Sequence, residues 1–208
     1  MIPFLYPPQP TRLWPNASFI DRLYDNYDCV NEIKYNGWRI ELHTDPKCPI
    51  FYNRHGTIIN INPDIFKDAL KGIKPNSVFD GELINFRSKD VKNIIILWDT
   101  LFWNDKDVRH LPLENKGECR RQYLDNWDYH PTKLKTKSKG IIYRIKSFKG
   151  RPQTFYNKIV KKNDPLEEGI VIKKAQSKYE TSVKGKFITT NWYKVKKICD
   201  HALVPDKL

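Results

Sequence analysis

Lys34 is the residue whose surroundings most favour chemistry. It lies in the run E-I-K-Y-N-G-W-R-I-E, residues 32–41, with Asn36-Gly37 directly behind it. A lysine amine held at the lip of a turn between two strands can act as a nucleophile, because the strands fix it while the glycine lets a phosphate come close to the backbone. Carboxylates recur in strand-like text at F-D-G-E-L-I (79–84) and E-G-I-V-I-K (168–173), and cations at W-Y-K-V-K (192–196). Among 37 Lys and Arg residues, any one lysine taken alone is ordinarily a solvated surface charge. The company that Lys34 keeps downstream changes that reading.

The elements that would position these groups follow from periodicity and punctuation. Residues 29–33 read as a strand leading into Lys34. Trp38, Ile40 and Leu42 then alternate with Arg39, Glu41 and His43, giving a second strand and, with Asn36-Gly37 between, a hairpin. A proline-punctuated arm over 1–15 precedes a short helix at 18–24. Strands are expected at 49–54, 57–60, 78–86, 93–103, 141–148, 168–174 and 191–197, the last with Trp192, Lys194 and Lys196 sharing one face. Helices are expected from Asn62-Pro63 to Gly72, over 114–127 and over 152–160. The segment 176–190 reads as a flexible surface loop. With no internal repeat and no interior linker, one α+β body of antiparallel β-sheets flanked by helices, spanning 1–208, is the economical arrangement.

Composition bounds the partners. A net charge of +13 over 208 residues points to a polyanion, and nucleic acid fits better than a membrane because no apolar run approaches spanning length. The N-terminus has the wrong flanks for a signal peptide. Cys29, Cys48, Cys119 and Cys199 show no paired spacing, which suggests neither a zinc site nor disulfides and makes reduced thiols in a cytoplasmic compartment the expectation.

In order, the chain offers K-Y-N-G-W-R, Y-N-R-H-G, F-D-G-E-L-I, L-W-D-T-L-F-W, E-G-I-V-I-K and W-Y-K-V-K between about residues 20 and 200. Together these strings resemble the catalytic domain of the covalent nucleotidyltransferases: ATP-dependent DNA ligases, RNA ligases and mRNA capping enzymes. The text flanking them is most similar to the DNA ligase branch.

The resemblance implies a nucleotidyltransferase (ATP-grasp-like) fold and a mechanism using ATP and Mg²⁺. Lys34 would attack the α-phosphorus of ATP, expel pyrophosphate and become lysyl-AMP, from which AMP passes to the 5′-phosphate of a nick before the 3′-hydroxyl displaces it. The amine must be neutral to attack, whereas a free lysine is charged at pH 7. Lys194 and Lys196, with the metal, would disfavour that charge and neutralise phosphate. Glu82 and Glu168 would supply oxygen ligands to Mg²⁺, or Glu82 a ribose acceptor. Trp98 corresponds to the aromatic that stacks on adenine, Val171 to the opposite wall, and Glu32 to the reader of the adenine amino group. Arg39 and Arg54 match contacts to sugar or phosphate, and Lys173 is expected near the phosphate with Lys194 and Lys196.

Two departures from the family pattern stand out: Asn36 replaces the usual Asp two residues after the lysine, and the chain reaches Leu208 without the usual C-terminal OB-fold. The expectation is a minimal, single-domain, monomeric DNA ligase of replication or repair, acting on nicked double-stranded DNA, possibly RNA-containing duplex. An RNA ligase and a degenerate nick-binding protein are the alternatives. Without a second clamp, substrate would be held by the basic runs Lys133, Lys135, Lys137 and Lys139, and Lys178, Lys184 and Lys186.

Overall fold

The computed structural model of the chain describes residues 2–45, 47–85, 91–131, 134–135, 139–182 and 185–197. In order these form β1 (Gln9–Leu13), α1 (Ala17–Asn26), β2 (Cys29–Tyr35), β3 (Trp38–His43), β4 (Ile50–Asn53), β5 (Val78–Ile84), β6 (Ile94–Trp103), β7 (Lys106–Asp107), β8 (Ile141–Arg144), α2 (Pro152–Lys162), β9 (Glu167–Lys174) and β10 (Ile188–Lys196). A four-stranded sheet runs β1-β10-β9-β2, and a six-stranded sheet runs β4-β3-β5-β6-β7 with β8 beside β6. The α+β reading with antiparallel sheets holds, except that β1–β10 and β6–β8 are parallel pairs.

Strand alternation sorts the two faces of each sheet. In the four-stranded sheet Ile170, Ile172 and Val195 pack with Ile20, Leu23, Tyr156 and Ile159 beneath α1 and α2. In the six-stranded sheet Phe79, Leu83, Ile95 and Leu97 pack with Phe66, Leu124 and Trp127. The opposite faces carry the polar residues of the site, flanked by a buried apolar cluster of Tyr35, Ile84, Ile94 and Ile96, and look onto a common cleft. Fully burying one such aliphatic or aromatic side chain contributes about 1.5–3 kcal/mol, so both outer cores hold their sheets rigidly behind the site.

Four expectations need correction. First, the Lys34 hairpin does not exist: β2 pairs with β9, whereas β3 pairs with β4 and β5. Asn36-Gly37 carries the chain from one sheet to the other, and a Cβ on Gly37 would lie 2.6 Å from Glu82 Cγ and 2.7 Å from the Leu83 carbonyl. The glycine is needed for close approach to β5, not for a reversal.

Second, the helix starting at Asn62-Pro63 is a 3₁₀ turn, Pro63–Phe66, capped by the Asn62 side chain accepting from the Asp64 N–H. Its task is to seat the fully buried Phe66 against Gly140, where any Cβ would meet the ring at 2.5 Å.

Third, the helix expected over 114–127 shrinks to a 3₁₀ turn, Arg120–Leu124. Its amides are used elsewhere: Arg120 N–H donates to the Pro112 carbonyl and Arg121 N–H to that of Leu113. Arg120 itself is fully buried and donates to Asp99 at 2.7 Å and to the Ser177 carbonyl at 2.7 Å. An isolated buried ion would cost several kcal/mol, so this pair dictates the local backbone.

Fourth, the segment 176–182 is anchored rather than loose: Tyr179 is buried and its hydroxyl donates to Asp80 at 2.7 Å. Two strands are also shorter than expected, since 57–60 contributes only the bridge Tyr52–Ile58 and β8 stops at Arg144.

Candidate functional site

Register in the four-stranded sheet sets out the site as a grid. Lys34 and Lys196 are both cross-strand partners of Gly169, and Glu32 and Lys194 are both partners of Val171. A third row joins Val30, Lys173 and Trp192. Facing this grid, the six-stranded sheet presents Arg39, Glu82 and Trp98, and the turn after β4 presents Arg54. The cleft between them has a volume of about 540 Å³ and is lined by every residue named above as a catalytic, nucleotide-binding or metal candidate. That volume is in the range of small-molecule sites.

One end of the cleft is a cluster of amines around a carboxylate. Lys34 Nζ lies 2.5 Å and Lys196 Nζ 3.0 Å from the same Glu168 oxygen. Burial works against the Glu168 charge, but hydrogen bonds and charge from Lys34 and Lys196 outweigh it and hold the carboxyl below its usual range. Lys194 is pushed the other way, since burial and then Lys34, Lys196, Arg12 and Arg54 all make its ammonium harder to keep. No carboxylate pairs with Lys194 among the described residues, which leaves it a cation awaiting an anion.

Gly169 allows the cluster to form. Its φ is +147°, and a Cβ there would lie 2.0 Å from the Val195 carbonyl oxygen and 2.9 Å from Lys196 Cα. Only glycine lets the strand bearing Lys196 pack this closely on β9 at the point where Lys34 pairs from the other side. The string E-G was visible in the sequence, but the need for the glycine appears only in the register.

Glu82 lines the same end from the opposite sheet. It accepts the Gly37 N–H at 2.9 Å. Burial is the dominant influence and pushes its carboxyl up to about 7, against the pull of Lys34 and of Gly37. The folded protein therefore binds this proton more tightly than the unfolded chain, and the associated stability is full below the ordinary value of 4.5 and is lost as pH rises through about 7. We expect Glu82→Gln to be more stable than wild type by up to about 3 kcal/mol at pH 8 and equally stable at pH 4. Melting temperatures in metal-free buffer across that range test this, and a pH-independent difference would contradict the burial argument.

The other end is aromatic and more deeply buried. Lys173 does not join the lysines around Glu168, because its row lies at Trp192 and Val30. Its ammonium sits 4.2 Å from the Trp192 ring centroid, 5.3 Å from that of Trp98 and 2.9 Å from Glu32. Burial, followed by the nearby Arg121, lowers its affinity for a proton. Glu32 is also ion-paired with Arg121, a partner that the expected helix over 114–127 gave no reason to place in the cleft wall.

Arg39 likewise turns its fork inward, with Nε and Nη2 on the Asp80 oxygens at 2.9 and 2.6 Å and Nη1 on the Pro8 carbonyl. Its donors are committed to the protein, and it tethers the N-terminal arm to the cleft wall. Arg54 is exposed and donates to His55 at 3.0 Å. The arm supplies Pro7, Gln9 and Pro10 to the cleft lining, which the sequence reading did not foresee.

The two basic runs separate. Lys186 is exposed and close enough to His55, at the cleft mouth, to disfavour its protonation along with burial and Arg54. Lys178 is exposed as well. Lys139 instead pairs with Asp68 at 2.6 Å, beside the 3₁₀ turn on the outer face of the six-stranded sheet, and Lys135 is exposed. Lys133, Lys137 and Lys184 lie outside the described residues.

A sequence-family model described as "ATP dependent DNA ligase domain" matches residues 84–196, more than half the chain. The DNA ligase of Archaeoglobus fulgidus is 25% identical over 188 residues, covering 81% of this chain and 32% of that protein. Among solved structures, a mycobacterial DNA ligase D complexed with ATP and MES superposes with TM-score 0.64 at 15% identity, over 92% of this chain and 60% of that one. The ATP-dependent DNA ligase of bacteriophage T7, in complex with ATP, gives 0.56 at 16% identity, over 92% and 68%. The chain thus spans about a third of the length of its curated relative and shares the fold of the ligase catalytic domains. By the family match, over the strands that carry Trp98, Glu168, Lys194 and Lys196, the chain belongs to the ATP-dependent DNA ligase domain family.

Proposed function

We propose that this chain is the adenylyltransferase unit of an ATP-dependent DNA ligase, with Lys34 as the residue that carries AMP. One arrangement supports the reading most: Lys34 and Lys196 converge on Glu168 at one end of the cleft, Lys194 stands one row in, level with Val171 and Glu32, and Trp98 lies beside Lys173 at the other end. Such a cleft can take a purine at the aromatic end and leave its phosphates among the amines. DNA is the favoured substrate because the curated relative is a DNA ligase.

In this reading the Lys34 ammonium first gives up a proton to water, its Nζ then gives the freed electron pair to the α-phosphorus of ATP, the bond from that phosphorus to the bridging oxygen breaks, and pyrophosphate leaves with the electrons. Lys194 and Lys196 offset the charge on the phosphates, positioned before the reaction by the register of β10 on β9, opposite Val171 and Gly169. Lys34 must part from Glu168 to attack, and anionic phosphate competing for Lys34 and Lys196 weakens that ion pair. AMP then passes to the 5′-phosphate of a nick, and the 3′-hydroxyl displaces it.

The donor set suits Mg²⁺. No three-carboxylate cage occurs among the described residues. Glu168 and Glu82 are hard oxygen donors flanking the phosphate end, and Mg²⁺ is commonly held by one or two carboxylates together with substrate phosphates and water. The metal, when bound, supplies charge neutralisation at the phosphates.

Incubation with ATP, Mg²⁺ and a 5′-phosphorylated nicked duplex tests the function. Joining of the strand, dependent on ATP and blocked by chelation, is expected, and protein that takes up AMP but never joins a DNA nick would overturn the assignment to DNA. Substrate holding gives a further prediction. Replacing Lys178 and Lys186 together by glutamine should weaken nicked-duplex binding and make log K against log salt shallower by about 2. An unchanged slope in a salt titration would return both lysines to the solvated surface.

A further inference from the structure

We propose that the outer edge of the four-stranded sheet, Arg12 with Trp14, binds a single nucleic-acid strand, Arg12 holding a backbone phosphate and Trp14 stacking on an unpaired base. The idea rests on the reading of the cleft given above and extends it to a surface outside the cleft.

The register carries the argument. β1 runs parallel to β10 with Arg12 opposite Lys194 and Leu13 opposite Val195. Paired residues on neighbouring strands point to the same side of a sheet, so Arg12 stands on the cleft face beside Lys194, and Trp14, the residue that follows β1, lies with its ring against the Arg12 guanidinium. One row through the site thus extends outward as Glu32, Val171, Lys194 and Arg12, with Trp14 stacked beside Arg12 at its end. Three strand intervals separate the strand of Lys34 from β1, roughly 14 Å at the spacing of a β-sheet. A strand whose reacting phosphate lies at Lys34 can reach this edge within a few nucleotides.

The two side chains are built for such a ligand. Trp14 is 70% exposed, and the Arg12 guanidinium lies 4.9 Å from its ring centroid. The guanidinium covers one side of the indole, and most of the ring surface remains open. Leu13 is buried in the core beneath α1 and α2, and the Asn16 N–H donates to the Trp14 carbonyl at 2.8 Å, so the aromatic is presented on a fixed backbone. Arg12 is exposed, and no carboxylate pairs with it among the described residues. Its neighbour Lys194 adds to a local positive field that phosphate would relieve. A flat apolar surface next to an unpaired cation matches a nucleotide, which offers a π-face one link from a phosphate. Base faces are covered in an intact duplex, so the site favours strands with an unpaired nucleotide near the phosphate, as at ends, gaps and overhangs.

Fluorescence anisotropy without ATP, using a labelled 5′-phosphorylated single-stranded oligonucleotide and a duplex with hairpin-closed ends, tests the proposal. Trp14→Ala should weaken single-strand binding by about 5- to 100-fold and leave closed-duplex binding unchanged, with Trp14→Phe restoring most of the loss. Arg12→Gln should make the salt slope shallower by about 1. Single-strand binding by Trp14→Ala equal to wild type, or equal losses on both probes, would overturn the platform. Because binding is read without nucleotide transfer, failure of Lys34 to take up AMP would count against the cleft assignment alone.

Discussion

Lys34→Ala should abolish both the covalent nucleotide and nick joining, a fall on the order of 10⁴ or more, while the melting temperature stays close to wild type. The large effect follows from the chemistry: without the amine no phosphoramidate can form at this position, and Lys196 lies on the opposite side of Gly169 while Lys194 lies a row away at Val171. The small effect on stability follows from the surroundings. The Lys34 side chain is 22% exposed and its ion pair with Glu168 is open to solvent, and such pairs contribute about 1 kcal/mol or less. Joining of a nick by Lys34→Ala at more than a trace rate would place the nucleophile elsewhere.

Gly169→Ala should be the most damaging single change outside the reactive groups. A side chain at φ +147° is strained in itself, and its Cβ would sit 2.0 Å from the Val195 carbonyl oxygen. Backbone strain of about 1–3 kcal/mol together with about 1–3 kcal/mol of overpacking predicts a loss near 4 kcal/mol. In a protein of this size that lowers the melting temperature by roughly 10 °C. β10 must move away from β9 to admit the methyl group, which displaces Lys196 relative to Lys34 and Glu168, so AMP uptake should fall with stability. Thermal unfolding and nucleotide labelling of the same preparation test this. A variant that melts with wild type and labels normally would show that the strands have slack here.

Much of the site was legible because it is written in residue types. Lysine, glutamate and tryptophan each do something few other side chains can, and their order along the chain survives whatever the intervening segments do. The faces of single strands were legible too, as with Trp192, Lys194 and Lys196, because alternation is a local property. Pairing between distant strands was not. Asn36-Gly37 reads as a hairpin turn from composition, yet its glycine serves to pass Glu82 on the way to a different sheet. Lys173 sits two rows from Gly169, and only the alignment of β9 with β10 shows that it belongs with Trp98 and Trp192. The parallel pairing of β1 with β10 joins residues almost the whole chain apart, so the arm could be read only as extended.

The expected helices failed for a related reason. Residues 114–127 carry apolar side chains at helical spacing, but Arg120 among them is buried on Asp99. Satisfying that charge outweighs the modest local preference for helix, since a buried unpaired ion costs several kcal/mol and helix propensity differs by tenths of a kcal/mol per residue. The same distinction sets Lys139, paired with Asp68 on the outer face, apart from Lys186 at the cleft mouth.

The central claim is that Lys34 carries AMP, and mass mapping tests it most directly. The protein is incubated with ATP and Mg²⁺, its intact mass is measured, and it is digested so that the modified peptide can be sequenced by fragmentation. The account predicts an increase equal to one AMP, localised to Lys34 and absent after chelation. No adduct under conditions that preserve the fold, or an adduct on Lys194, Lys196 or any other lysine, would contradict it.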